Sequence, residues 1–267
     1  MSDELVQRLT SEEEYFDQKV YAHEGLPEAV IERYVQGRWP WFYPDYPFGL
    51  LRSLVPGRSI LEIGCGNGSN AVLLALMGAK RVVGVDISHV AVEAAANRVS
   101  QHRLRNCEFI TAPLETYLRQ SPSGQFDIVC GWAILHHMLP DLEDVLIGLK
   151  RILRPNGTLL FAAEPVNLWP WLRKMRLRVK AIKVEGTPGE RPLEDRDLSI
   201  ISKVFPATKL ETFRGLGRAE RCWDNFRFKL FLGAIDYSLL RLPGFKGFGS
   251  VGVIVCRNGD KSIDDRL

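Results

Sequence analysis

The chain has 267 residues, 46% of them hydrophobic and 25% charged, and these values exclude a disordered or fibrous protein. The net charge of +3 is too small to indicate nucleic acid binding by itself, so any basic partner surface must be local. The five cysteines have neither CxxC pairs nor the Cys/His spacing of a zinc site, which predicts reduced thiols in a cytoplasmic protein.

The first 50 residues are predicted to form an N-terminal extension that is mostly helical. Its start is acidic and has no apolar run, which predicts the absence of a signal peptide. The extension ends in an aromatic and proline cluster, WPWFYPDYPF, at Trp39 to Phe48. Three prolines within ten residues are incompatible with a regular helix, so this cluster is predicted to be irregular.

From Ser59 onward, apolar strand-like runs alternate with amphipathic helix-like runs. The strand-like runs are SILEIG, RVVGVDI, CEFIT, FDIVCGW and GTLLFAA. The helix-like runs between them are SNAVLLALMG, HVAVEAAANRVSQH, LETYLRQ and LEDVLIGLKRIL. This alternation predicts an α/β fold with a doubly wound, mostly parallel sheet.

After Glu164 the alternation is interrupted by about 45 residues, and LETFRGL and GSVGVIVCR are predicted as the last two strands. An apolar helix-like run, WDNFRFKLFLGAIDYSLLRL, lies between them. We therefore expect one domain over residues 51–257, with a lid inserted at 165–209 and a tail at 258–267.

The stretch ILEIGCGNGSN places glycines at positions 64, 66 and 68, directly after the first strand. The pattern is GxGxG, with Ser69 where a dinucleotide-binding GxGxxG loop has its third glycine. Asp86, which ends the second strand, is placed to accept both hydroxyls of a ribose. Glu62 is unfavourable beside a pyrophosphate and favours a cationic or zwitterionic ligand.

Four segments in this order and spacing resemble the motifs of the class I S-adenosylmethionine-dependent methyltransferases. They are ILEIGCGNG, VVGVDIS, FDIVCGWAILHHM and LKRILRPNGTLLFAAEP, and together they cover about Leu51 to Pro165. The resemblance implies a seven-stranded sheet whose last strand is antiparallel. It also implies that S-adenosyl-L-methionine is the cofactor.

Carried over by motif, the resemblance implies a set of cofactor-binding positions, with Asp86 at the ribose and Ile87 at the adenine. The set is Glu62, Gly64, Cys65, Gly66, Gly68, Asp86, Ile87, Ala112, Leu114, Gly131 and Trp132. The family often has an acid after the third strand, whereas this chain has Thr111, Ala112 and Pro113. Adenine recognition is then expected from backbone groups near Leu114 or from Glu115.

His136 and His137 follow the fourth strand, where family members often place groups that face the substrate. Methyl transfer needs alignment more than a metal, and no metal is predicted. A neutral imidazole could accept a proton from a hydroxyl acceptor, and His137 is the preferred base. The alternative is that one histidine caps the next helix and the other packs in the core.

The aromatic cluster has two interpretations of equal weight. It forms a wall of the methyl-acceptor pocket, with Trp39, Trp41 and Tyr43 as the substrate-binding residues, or it packs the extension onto the sheet.

Residues 168–184 are predicted to form a helix with one apolar stripe and an otherwise basic surface without acids. A solvated lid helix is the simplest interpretation. Peripheral contact with anionic membrane lipid and contact with an acidic substrate are the alternatives. Nucleic acid ranks last, because aromatic residues are not interleaved with the basic ones.

The sequence thus predicts a methyltransferase acting on a small or lipid-like molecule at a hydroxyl oxygen. One alternative is a nicotinamide-dependent oxidoreductase, which Ser69 and Glu62 disfavour. Another is a cofactor-binding regulatory protein without turnover. The sequence does not predict an oligomeric state.

Overall fold

A computed structural model describes residues 3–18, 25–37, 39, 41–169, 171, 174, 191–216 and 225–259. Seven strands form one sheet in the order β3-β2-β1-β4-β5-β7-β6. The strands are β1 Ser59–Ile63, β2 Arg81–Asp86, β3 Cys107–Thr111, β4 Phe126–Trp132, β5 Leu153–Pro165, β6 Ala207–Phe213 and β7 Val251–Arg257.

The first five strands are mutually parallel, and β7 is antiparallel to both of its neighbours, β5 and β6. The predicted seven-stranded, mostly parallel sheet with a reversed last strand is therefore confirmed. The strand order changes direction between β1 and β4: β2 and β3 are added on one side of β1, and the chain then returns to place β4 on its other side. In open α/β sheets, ligands bind at this switch point, beyond the carboxyl ends of the strands.

The helices alternate with the strands along the chain. They are α1 Asp3–Asp17, α2 Glu28–Ile31, α3 Asp45–Leu54, α4 Ser69–Leu76, α5 His89–Gln101, α6 Leu114–Gln120, α7 Leu142–Ile152, α8 Asp195–Val204 and α9 Phe226–Leu239. A π-helical turn at Glu32–Gly37 and 3₁₀ segments at Leu135–Asp141 and Lys246–Phe248 complete the described elements. Helix α3 contains residues 45–48 of the aromatic cluster, so the prediction that the cluster is irregular is wrong there; Pro47 lies in the first turn of the helix, where a backbone N–H is not needed.

Both faces of the sheet are buried. Successive residues of a strand point to opposite faces, so two neighbours in sequence show the burial of each face. Leu159 belongs to the core cluster that includes α7 and α8, whereas Leu160 belongs to the cluster that includes α3 and α4. Neither side chain is accessible to solvent. Burial on both faces explains why these strands read as nearly continuous apolar runs in the sequence.

The stretch 165–209, predicted as an inserted lid, contains a regular crossover helix. Helix α8 begins with a capping box between Glu194 and Asp197, and it buries Ile201 against the sheet before β6 starts at Ala207. Residues 170, 172–173 and 175–190 lie outside the described residues, so the lid and the basic helix at 168–184 stay predictions. Within the described part, no helix is long and apolar enough to cross a bilayer.

Candidate functional site

The glycine loop connects β1 to α4 through three residues with left-handed backbone conformations. The φ angles of Gly64, Gly66 and Gly68 are 61°, 50° and 73°. A Cβ added to Gly68 would lie 2.8 Å from the Cβ of Ala95 on α5, whereas one added to Gly66 would meet no atom within 4 Å. Gly68 therefore permits close helix packing, and Gly66 faces open space.

Asp86 holds this loop from the end of β2. Its Oδ2 accepts a hydrogen bond from the Gly66 N–H at 2.8 Å, and its Oδ1 accepts one from the Ser88 N–H at 3.0 Å. Burial raises the pKa of Asp86, and these backbone donors oppose that shift. Each carboxylate oxygen can accept a second hydrogen bond, so Asp86 can still bind ligand hydroxyls.

A cavity of about 170 Å³, here called the loop cavity, lies beside Gly66 and Asp86. Eight of the predicted site residues line it: Gly64, Gly66, Asp86, Ile87, Ala112, Leu114, Trp132 and His137. Five others are absent from its lining: Glu62, Cys65, Gly68, Gly131 and His136. Cys65 is buried and donates its N–H to the Val85 carbonyl, and Gly131 is packed beneath Ile134.

Glu62 lies beneath the glycine loop and is completely buried. Neither carboxylate oxygen has a hydrogen-bond partner among the described residues. Burial raises the pKa of Glu62 to about 8. The nearby Asn70 side chain lowers this pKa and the negative charge of Asp86 raises it, and both effects are smaller than that of burial. A buried acid without a partner under a glycine loop fits a ligand that carries positive charge, which would favour its ionised form.

Helix α1 packs against the loop cavity. The sequence pattern did not predict which residues of the N-terminal extension would line this cavity. The helix contributes Arg8, Leu9, Glu12 and Phe16 to the lining. Arg8 fixes the helix across the cavity mouth, because its guanidinium lies 3.1 Å from Glu115 and 2.9 Å from Asp141.

The opposite end of α1 is also anchored. Asp17 accepts a hydrogen bond from the Ser88 hydroxyl at 2.5 Å and lies 3.2 Å from Nδ1 of His89. The first of these contacts lowers the pKa of Asp17 most strongly. Ser88 also donates its N–H to Asp86, so these contacts connect the C-terminal end of α1 to the end of β2.

The segment after β4 is held by Glu164. In the sequence analysis this residue only marked the point after which the alternation of strands and helices is interrupted. This fully buried carboxylate accepts hydrogen bonds from the backbone N–H groups of Ile134 and Leu135, each at 2.9 Å, and of His136 at 3.2 Å. Its Oε2 also lies 3.0 Å from Nδ1 of His136. Ala133 has a φ of 51°, a strained value that this set of contacts helps to maintain.

The two histidines thus occupy different environments. His136 faces Glu164, whereas His137 lines the loop cavity, where its Nδ1 lies 4.0 Å from Oε1 of Glu12. The Phe16 ring of α1 approaches His137 edge-on, with centroids 5.8 Å apart. Of the pair, only His137 is placed to contact a ligand in this cavity, and its role as a base stays a prediction.

A second cavity of about 280 Å³, here called the aromatic cavity, adjoins the first. Its lining is mostly apolar: Leu26, Val30, Tyr34, Tyr43, Pro44, Pro47, Phe48, Ser69, Asn70, Leu73 and Trp132. Trp132 belongs to both linings and stacks on Phe48 with centroids 5.3 Å apart. Its indole Nε1 is buried without a hydrogen-bond partner in the described structure, so a donor is available at the boundary.

The three residues predicted to contact the methyl acceptor lie in different places. Tyr43 lines the aromatic cavity, and burial raises its pKa to about 12. Trp39 packs edge-on against Phe226 of α9, and Trp41 packs against Phe42, and neither lines the aromatic cavity. A direct acceptor contact therefore remains our prediction for Tyr43 more than for either tryptophan.

Comparison with known proteins identifies the family. The sequence family described as "Methyltransferase domain" matches residues 60–157. The ubiquinone biosynthesis O-methyltransferase of Thiobacillus denitrificans is 30% identical over 161 residues, which cover 55% of this chain and 68% of that protein. The fatty-acid O-methyltransferase of Mycolicibacterium smegmatis is 26% identical over 182 residues, covering 65% of this chain and 64% of that protein.

Other relatives match over a shorter stretch. The ubiquinone biosynthesis O-methyltransferase of Acinetobacter baylyi is 30% identical over 106 residues, which cover 40% of this chain. The chain spans 43% of the length of that relative.

Solved structures share the fold at low sequence identity. Geranyl diphosphate C-methyltransferase from Streptomyces coelicolor superposes with a TM-score of 0.57 at 12% identity, covering 94% of this chain and 98% of that one. Phosphoethanolamine N-methyltransferase 2 of Haemonchus contortus gives 0.57 at 15% identity, covering 93% and 60%. These structures show the fold, and the Thiobacillus denitrificans relative and the matching methyltransferase family show that the chain belongs to the class I S-adenosylmethionine-dependent methyltransferases.

Proposed function

We propose that this protein transfers a methyl group from S-adenosylmethionine to an oxygen atom of a small, lipid-like acceptor. The observation that carries the proposal is that Trp132 forms a wall of both cavities. A cofactor in the loop cavity and an apolar acceptor in the aromatic cavity would then meet at one side chain. Methyl transfer requires this kind of in-line approach.

The residues around the loop cavity fit the cofactor in charge and shape. Asp86 would accept hydrogen bonds from the ribose hydroxyls, and the open side of Gly66 leaves room for the ligand against the backbone. The buried carboxylate of Glu62 would favour the positive charge of the amino and sulfonium groups. Ile87, Leu114 and Glu115 line the part of the cavity proposed for the adenine.

The aromatic cavity supports an acceptor with an apolar body. Aromatic and aliphatic side chains dominate its lining, and Ser69 and Asn70 supply the polar groups on the side of the glycine loop. Such a lining is typical of small-molecule sites, in which a few polar groups orient a mostly apolar ligand. The similarity to a ubiquinone biosynthesis O-methyltransferase and to a fatty-acid O-methyltransferase supports a lipid-like acceptor and an oxygen atom.

In the proposed step, the acceptor oxygen forms a bond to the methyl carbon while the bond between that carbon and sulfur breaks. The bound cofactor supplies the methyl group as an activated sulfonium. A hydroxyl acceptor also loses its proton, which His137 would accept as a neutral imidazole. A carboxylate acceptor is already ionised at neutral pH and needs no base.

This difference gives a discriminating experiment. The protein is incubated with methyl-labelled cofactor and two sets of acceptors, long-chain carboxylic acids and apolar phenols, and the labelled product is extracted and counted. We expect transfer to one set. If the phenols are methylated, His137→Ala should lower kcat by about 100-fold or more; if the carboxylic acids are methylated, it should leave kcat nearly unchanged. His136→Ala is the paired control.

The same assay tests the alternatives. Binding of S-adenosylhomocysteine with no transfer to any acceptor would favour a regulatory protein without turnover. Transfer to nitrogen in matched apolar amines would correct the proposed atom while keeping the proposed reaction. Family membership already removes the basis for the nicotinamide-dependent oxidoreductase.

We also propose a peripheral role for the basic segment at 168–184, on the cytoplasmic side of a membrane. Its support is the sequence alone, which carries a run of cations without acids in residues 173–183. Replacing Arg173, Lys174, Arg176 and Arg178 together by Gln should reduce binding to anionic vesicles at low salt. Equal binding by the wild type and this variant would contradict the proposal.

A further inference from the structure

Helix α9 exposes apolar side chains along one side. Phe231 is 61% exposed, Ile235 38% and Leu242, just beyond the helix end, 51%. Phe231 and Ile235 lie one turn apart on the same side of the helix, and Leu242 follows in the turn after the helix end; these three residues are here called the exposed stripe. Phe226 and Phe245, 44% and 42% exposed, lie at the two ends of this segment.

The inner side of the same helix is unusual, because its buried residue is an aspartate. Asp236 is 3% exposed, and its Oδ1 accepts a hydrogen bond from the backbone N–H of Leu216 at 2.8 Å. The helix is thus fixed to the protein partly by a polar contact, while Phe231 and Ile235 face solvent.

The segment that carries the exposed stripe is rich in cations. Residues 225–250 contain Arg227, Lys229, Arg241 and Lys246 and a single acid, the buried Asp236. Arg241 lies 3.5 Å from Glu211, so part of its charge is balanced within the protein. Arg227 and Lys246 are exposed at opposite ends of the stripe.

We propose that this face of α9 docks on the surface of an anionic phospholipid bilayer. Exposed apolar residues with a cationic border match the interface, where acyl chains lie beneath negatively charged headgroups. The charge also argues against a second copy of this chain as the occupant, since two such faces would bring their exposed cations, Arg227 and Lys246, close to one another.

The docking face lies behind the aromatic cavity. The side of α9 at Gly233 contacts the ring of Phe42, and the next residue, Tyr43, lines that cavity. Docking would therefore place α9 and the Phe42 ring between the bilayer and the proposed acceptor. This last step rests on the proposed function, whereas the docking itself does not.

The test is flotation of the full chain with vesicles of phosphatidylcholine, with and without phosphatidylglycerol, in the absence of cofactor and acceptor. We expect the wild type to bind the anionic vesicles. The combined variant Phe231→Ser, Ile235→Ser and Leu242→Ser should bind them with an affinity at least roughly tenfold lower. Ile147→Ser is the matched control, because Ile147 is 52% exposed on α7 and should leave binding unchanged.

Three results would overturn the proposal. The wild type could fail to bind anionic vesicles, or the combined variant could bind as the wild type does. Alternatively, sedimentation velocity could show a wild-type dimer that the combined variant loses, with no vesicle binding by either, which would assign the face to a second copy.

Unchanged thermal unfolding of the combined variant confirms that it folds. Because the vesicle assay contains no cofactor, a failure of the docking proposal leaves the methyl-transfer proposal untouched.

Discussion

Glu164 and His136 face each other at 3.0 Å, between Oε2 of the carboxylate and Nδ1 of the imidazole. The same carboxylate accepts hydrogen bonds from three successive backbone N–H groups, at residues 134 to 136. One buried acid on β5 thus fixes the backbone that leads from β4 into the 3₁₀ segment. This places His136 against Glu164 and His137 in the lining of the loop cavity.

Glu164→Gln should destabilise the protein by about 2 kcal/mol, because an amide NH₂ would replace one acceptor oxygen opposite backbone donors. Urea unfolding followed by circular dichroism measures the loss. Glu108→Gln is the control, since Glu108 forms an exposed ion pair with Arg81 and should change stability by less than about 1 kcal/mol. Equal effects of the two substitutions would contradict the role given to Glu164.

Glu62 makes a pH dependence testable. Its pKa is raised from 4.5 to about 8 by burial, so the folded protein keeps a proton that the unfolded chain has already released over this range. The free energy of unfolding should therefore fall as the pH rises from 4.5 to about 8 and level off above it. Glu62→Gln should remove at least about 1 kcal/mol of this decline, measured by urea unfolding at several pH values.

The same residue should couple cofactor binding to proton release. A ligand that brings positive charge to Glu62 lowers its pKa, so binding at neutral pH should release a fraction of a proton to the buffer. Calorimetric titrations in two buffers with different ionisation enthalpies measure this number. Proton release that is unchanged in Glu62→Gln would show that another group is responsible.

Two glycines with the same backbone conformation separate strain from packing. Gly68 and Gly57 both have a φ of 73°, but a Cβ on Gly57 would meet no atom within 4 Å, whereas one on Gly68 would lie 2.8 Å from Ala95. Gly57→Ala should cost about 1 kcal/mol of stability from backbone strain alone. Gly68→Ala should cost more and weaken cofactor binding, and equal losses would exclude the packing role.

Arg8 is expected to control how long a ligand stays in the loop cavity. Arg8→Ala removes both ion pairs that fix α1 over the cavity, so S-adenosylhomocysteine should dissociate several-fold faster, as measured by stopped-flow fluorescence. Arg81→Ala breaks an exposed ion pair far from the cavity and is the control. An unchanged dissociation rate in Arg8→Ala would mean that α1 does not act as a lid.

Much of the fold could be predicted because its signals are local. Buried parallel strands give continuous apolar runs, and the turn before Ser69 needs glycine, so the order of strands and the glycine loop are visible in the sequence. Asp86 was predictable for the same reason, since it ends a strand at a known distance from the loop.

The remaining parts depend on contacts between distant residues. Arg8 lies 107 positions from Glu115, and no local pattern indicates that these two side chains meet. Asp141 lies at the N-cap position of α7, but its side chain makes no capping hydrogen bond and pairs with Arg8 instead. The separation of Tyr43 from Trp39 and Trp41 likewise depends on how the extension folds back onto α9.

The most direct test of the account is calorimetric titration of the protein with S-adenosylhomocysteine, with NADH titrated in parallel. We predict saturable binding of S-adenosylhomocysteine and none of NADH, and a loss of about 1 to 3 kcal/mol of binding free energy in Asp86→Ala. Binding of NADH alone, or an affinity for S-adenosylhomocysteine that Asp86→Ala leaves unchanged, would contradict the assignment of the loop cavity.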